Sequence, residues 1–123
     1  MAIDTAKIQA ALHQFVSGTN DVYGAALLTL DGLPLVSMLP NHMDEEQVAA
    51  MTAALLSLGE RIGIELLQGG IGKISLENSQ GYCIVTICGE DAVFLVLASS
   101  SGKQGILNLE VKRAVGELQS LLA

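Results

Sequence analysis

The chain has 123 residues, half of them hydrophobic, with 3% aromatics, no tryptophan and a net charge of −7. That length fits one domain, 1–123, with a core of its own. The acidic balance and the scarcity of rings exclude a nucleic-acid surface, which needs clustered Lys and Arg or stacking aromatics.

The opening MAIDTAKIQ has no basic segment followed by an apolar run, so no secretory leader is expected there. From Asp4 to Ser17, Ile8, Ala11, Leu12, Phe15 and Val16 recur at helical spacing. Asp4 or Thr5 is the expected cap and Gly18 the stop. Gly24 to Leu30 is apolar on both parities, as in a strand covered on both faces. Asp31-Gly32 then signals a hairpin, with Leu33 to Leu39 returning. Pro34 has no N–H to give a ladder, so the return strand is expected at an edge or to begin at Pro34. Asp44 with Gln47 forms a capping-box pattern that opens a helix running to about Leu67, where Gly69-Gly70 stops it.

Gly72 to Glu77 alternates cleanly, with Lys73, Ser75 and Glu77 against Ile74 and Leu76. Tyr82 to Cys88 and Ala92 to Ala98 follow as strands apolar on both faces, hence central. Ser101 with Gln104 is a second capping-box pattern, before a last helix over about Gln104 to Leu122. The order is α-β-β-α-β-β-β-α. Hairpins and a meander imply an antiparallel sheet, and strands buried on both faces need helices on both sides. The expected fold class is α/β, a three-layer sandwich on a five-stranded antiparallel sheet.

Catalytic groups are sparse. His13 and His42 are the only histidines, and His42 beside Asp44, Glu45 and Glu46 matches no metal-ligand spacing. SSSGKQG, from Ser99 to Gly105, lacks the first glycine and the hydroxyl of a phosphate-binding loop, with Leu97 and Gln104 in those places. Cys83 and Cys88 are five apart in a strand, on opposite faces and about 16 Å apart, beyond disulfide reach. No catalytic residue, metal or cofactor is expected.

The helix over 47–67 carries the informative pattern. Glu60, Arg61 and Glu65 interrupt it too soon for a membrane span. Val48, Met51, Leu55, Leu58, Ile62 and Leu66 form one arc, expected to face the sheet. Ala49, Ala53, Leu56, Gly63, Ile64 and Leu67 form a second arc with Glu60 among them. Its small residues suit close approach of another backbone, either a second copy or a loop of the same chain. Lys73, Ser75 and Glu77 join the expected dimer interface, because the strand that starts the meander can leave an edge free. Ala50, Ser57 and Arg61, in the more polar remainder of the helix, are the candidate partner-binding residues.

LLTLDGLPLVS (Leu27 to Ser37), AAMTAALLSLGERI (Ala49 to Ile62), GYCIVTICGEDAVFLVLA (Gly81 to Ala98) and GILNLEVKRAVGEL (Gly105 to Leu118) together resemble the Roadblock/dynein light chain family. The resemblance runs from about Ile8 to Leu122. It implies a sheet of order 2-1-5-4-3, with the second helix on one face and the first and last on the other. It also implies dimers that pair third strands and second helices, and a non-enzymatic role as scaffold or regulator of a small Ras-like GTPase. With neither a leader nor a membrane span expected from the sequence, the expected location is the cytoplasm. Any nucleotide would belong to that partner. A sensory domain of profilin-like fold, with a ligand pocket lined by Tyr82, Cys83 and Phe94, is the alternative.

Overall fold

The computed structural model describes residues 3–123. Its elements are α1 (Thr5–Gly18), β1 (Val22–Thr29), β2 (Pro34–Met38), α2 (Glu45–Leu67), β3 (Lys73–Asn78), β4 (Gly81–Cys88), β5 (Ala92–Ser99) and α3 (Gln104–Leu122). The strands form one antiparallel sheet in the order β2-β1-β5-β4-β3. This is the expected architecture and strand order. Pro34 is the first residue of an edge strand, where its missing N–H leaves no ladder bond unmade.

Two apolar layers flank the sheet. On one face Ile8, Leu12 and Val16 of α1 and Leu107, Val111 and Leu118 of α3 meet Ala25, Leu27, Phe94 and Val96. Phe15 packs edge-on against Phe94, with ring centroids 5.4 Å apart. On the other face Ala49 and Leu56 of α2 meet Ala26, Leu28, Val85, Val93 and Leu95. β1, β4 and β5 are apolar on both parities because both of their faces are covered. Cys83 lies with the α2 layer and Cys88 with the α1/α3 layer, on opposite faces as their spacing requires. Burial raises both thiol pKa values, that of Cys88 to about 11.

The helix ends follow local chemistry. Asp4 accepts the Lys7 N–H at 3.2 Å, and Asp44 accepts the Glu46 N–H at 3.0 Å. At the far end of α2, Gln68 takes the left-handed position (φ 63°) and its N–H donates to the Gly63 carbonyl. The cap expected from Ser101 does not form. Lys103 is the N-cap of α3 and makes no side-chain cap bond. The Ser101 hydroxyl instead donates to Asp21 Oδ1 at 3.0 Å, alongside Ser99 Oγ at 3.2 Å. These serines fasten the β5–α3 loop to the start of β1.

The Asp31-Gly32 turn also tightens on itself. Thr29 Oγ1 donates to Asp31 Oδ1 at 2.6 Å and accepts the Leu33 N–H at 2.9 Å, while Gly32 has φ 95°. The Thr29 hydroxyl bond holds the Asp31 carboxyl below the ordinary carboxylate pKa.

Candidate interaction surface

The two arcs of α2 exchange most of the roles expected of them: in the first arc only Val48 and Leu55 pack, half-buried, on the sheet layer, and in the second Ile64 and Leu67 stay exposed. Ala49, Thr52, Leu56 and Gly63 are the buried residues of the helix. Met51, Leu58, Ile62 and Leu66 are exposed, by 59%, 58%, 44% and 75%. The sheet supplies the reason. Its α2 face already carries Leu28, Val85, Val93 and Leu95, and with those side chains in place Leu56 is the one large residue of α2 that fits fully beneath the helix, beside the small Ala49, Thr52 and Gly63.

Two loops close over the same arc. A Cβ built at Gly32 would sit 3.1 Å from Ala53 Cβ, so the β1–β2 turn lies against Ala53. A Cβ at Gly63 would stand 2.6 Å from the Gly69 carbonyl oxygen and 2.8 Å from Ile71 Cγ2. The neighbouring backbone that the small residues were expected to admit therefore belongs to the chain itself.

Ala49, Leu56 and Gly63 are accordingly removed from the candidate dimer interface, and Ala53 is half-covered by the turn. Glu60 is exposed, and its Oε2 accepts the Ile71 N–H at 3.4 Å, so its partner is in its own chain. Ile64 and Leu67 are exposed. Ala50, Ser57 and Arg61 are exposed along the outer crest, with Arg61 Nε 3.2 Å from Glu65 Oε2. So exposed a pair adds little to stability.

β3 runs back beside α2 at the edge of the sheet. A Cβ at Gly59 would meet Ile74 Cδ1 at 2.6 Å, which places the Gly59 side of the helix toward β3. At 100° per residue Leu55, Ile62 and Leu66 project within about 60° of Gly59, on the side away from Ala53. The stripe Met51-Leu55-Leu58-Ile62-Leu66, exposed except at half-buried Leu55, therefore shares one flank with the unpaired edge of β3. Leu76, half-exposed and on the same sheet face as Ile74, extends the apolar surface onto β3. Lys73, Ser75 and Glu77 are exposed and point to the other face, where Lys73 Nζ reaches Asn108 Oδ1 of α3 at 3.3 Å.

The pocket of the alternative function does not form. Phe94 is fully buried under α1, and Tyr82 and Cys83 border an open depression of ≈ 320 Å³ at the strand ends. Among the described residues no three His, Cys, Asp or Glu side chains converge on a metal-sized site, and no helix is long and apolar enough to cross a membrane.

The arrangement defines a class: a Roadblock-type, profilin-like sandwich with one helix laid across an otherwise open sheet face. The Roadblock/LC7 domain model matches residues 8–98, and the chain belongs to that family. An uncharacterized protein of Methanocaldococcus jannaschii is 28% identical over 103 residues, 84% of this chain and 86% of the relative. Among solved structures, MglB of Myxococcus xanthus superposes with a TM-score of 0.91 at 19% identity, covering 99% of this chain and 92% of that one. A Roadblock/LC7 domain of Streptomyces avermitilis gives 0.85 at 23%, covering 93% and 96%. Schizosaccharomyces pombe profilin gives 0.68 at 12%, covering 92% and 97%.

Proposed function

We propose that the chain acts as a non-enzymatic homodimeric scaffold or regulator of a small Ras-like GTPase in the cytoplasm, as one Roadblock-type unit over 1–123. The observation that carries the dimer is the apolar stripe of α2 lying beside an unpaired strand edge. Met51, Leu55, Leu58, Ile62 and Leu66 recur every three or four residues, the spacing at which one helix packs along another. A free strand edge is a template for a second strand. Joined about a two-fold axis, the copies would cover both features at once and leave the α2 crests side by side.

The crests, with Ala50, Ser57 and Arg61, are then the platform for the GTPase. Family membership and the likeness to MglB support that partner class, and the nucleotide belongs to the partner. Affinity capture from the native cytosol, with and without a GTP analogue, tests the assignment. A small GTPase should be retained by the wild-type protein and lost with Ser57→Arg/Arg61→Glu. Recovery of no GTPase under either condition would overturn it.

A further inference from the structure

We infer that two copies join at β3 in one register, with Ser75 on the two-fold axis and Lys73 of each copy opposite the partner's Glu77. The inference rests on the dimer proposed above and specifies its seam. Which backbone groups of β3 are free follows from the inner side of the strand. Lys73 opposes Thr86 on β4, and one step earlier the Ile87 N–H donates to the Gly72 carbonyl at 2.9 Å. In an antiparallel ladder, hydrogen-bonded and non-bonded pairs alternate. Ile74, Leu76 and Asn78 thus spend their backbone bonds on β4. Lys73, Ser75 and Glu77 point their N–H and C=O groups outward, to the free edge.

The side chains follow the same alternation. Lys73, Ser75 and Glu77 lie on the α3 face, and Ile74 and Leu76 on the α2 face. Read in either direction from Ser75, the segment Lys73-Ile74-Ser75-Leu76-Glu77 is complementary to itself: apolar against apolar, cation against anion. With Ser75 on the axis, Ile74 opposes the partner's Leu76 beneath the paired α2 stripes. All three outward-facing residues then exchange both backbone bonds with an outward-facing residue of the partner.

Other even registers fail on the same terms. Centring on Ile74 sets Glu77 opposite a residue outside β3, and centring on Leu76 does the same to Lys73. Moving the centre to Lys73 or Glu77 opposes like charges, which destabilises a cross-strand pair. Among the described residues the ion pairs are Arg61–Glu65 and Arg113–Glu110. Lys73 and Glu77 therefore have no oppositely charged partner among the described residues, and both can pair across the seam.

Single cysteines locate the axis, because only a residue on it meets its own copy. At an antiparallel bonded pair the Cα atoms are about 5.5 Å apart, within disulfide range. Off the axis by one residue, the two copies of a position stand roughly 8 Å apart, beyond it. Ser75→Cys oxidised with diamide should give a covalent dimer, its link mapped by mass spectrometry to the substituted position, and Leu76→Cys should not. As a second arm, Lys73→Glu and Glu77→Lys should each weaken association several-fold. An equimolar mixture of the two should form the heterodimer preferentially, because both cross-strand pairs are then opposite in charge. Linkage at Leu76→Cys without linkage at Ser75→Cys, or no heterodimer preference, would overturn the register while the dimer stands. A wild-type chain that stays monomeric at high concentration would overturn the dimer itself.

Discussion

Gly63 shows how tightly single residues set the position of α2. The loop after the helix passes so close that a methyl group there would collide with the Gly69 carbonyl and Ile71. Gly116, in the middle of α3, has nothing within 4 Å of its would-be Cβ. The same substitution should therefore act in opposite directions. Gly116→Ala gains helix propensity without a clash and should stabilise by about 0.5–1 kcal/mol. Gly63→Ala gains the same propensity but forces the loop outward, and overpacking of that kind costs about 1–3 kcal/mol, so a net loss is expected. Urea unfolding of the two variants measures the difference, and a stabilised Gly63→Ala would remove the case for a tight loop. The Glu60 carboxylate contributes at the same spot by accepting the Ile71 N–H. Seen from the sequence, Glu60 is a misfit in an apolar arc; in the fold it holds the connection into β3.

At the level of elements, the hydrophobic periodicity located every helix and strand to within two residues, and the doubly apolar strands predicted helices on both faces. Pro34 pointed to an edge strand or to a strand that begins at Pro34, and β2 is both; the odd spacing of Cys83 and Cys88 put them on opposite faces. The orientation of α2 was not legible from the same pattern. A projection finds two apolar arcs but does not say which faces the sheet, because that depends on side chains elsewhere in the chain. Large residues were expected inward, yet the layer under α2 is already filled from the sheet side by Leu28, Val85, Val93 and Leu95. A signal was nonetheless present: Gly59 and Gly63 lie four apart, on one helix face, as close approach requires.

The exchange of arcs can be tested with one substitution on each. Leu56→Asp puts a carboxylate into the core of the chain itself and should cost about 3–5 kcal/mol, the range for an uncompensated buried charge. Leu58→Asp, at an exposed position, should leave the monomer folded and abolish the dimer. Circular dichroism and light scattering separate the two effects. An unfolded Leu58→Asp with a folded, monomeric Leu56→Asp would restore the opposite orientation.

For the whole molecule, the stability of a single copy is unevenly spread. β1 and β5 are covered on both faces, and Leu27, Val93, Phe94 and Val96 are fully buried. The flank formed by the last turns of α2 and by β3 is different: Ile62, Leu66 and Leu76 are all exposed, and every residue of β3 except Ile74 faces solvent. Segments with few buried contacts open locally at a small fraction of the global free energy. A partner that binds only the folded flank stabilises it by mass action, increasingly as concentration rises. Amide hydrogen exchange on the wild-type chain across a dilution series should therefore split by region. Protection in residues 60–67 and 73–78 should rise with protein concentration, while protection in β1 and β5 stays at its ceiling. Within β3 the amides of Lys73, Ser75 and Glu77 should gain most, because their N–H groups face the free edge. Those of Ile74 and Leu76 already donate to β4 and should change less. Equal gains at all five positions would mean that the flank tightens without a strand being added to it, leaving the α2 stripe to carry the association alone.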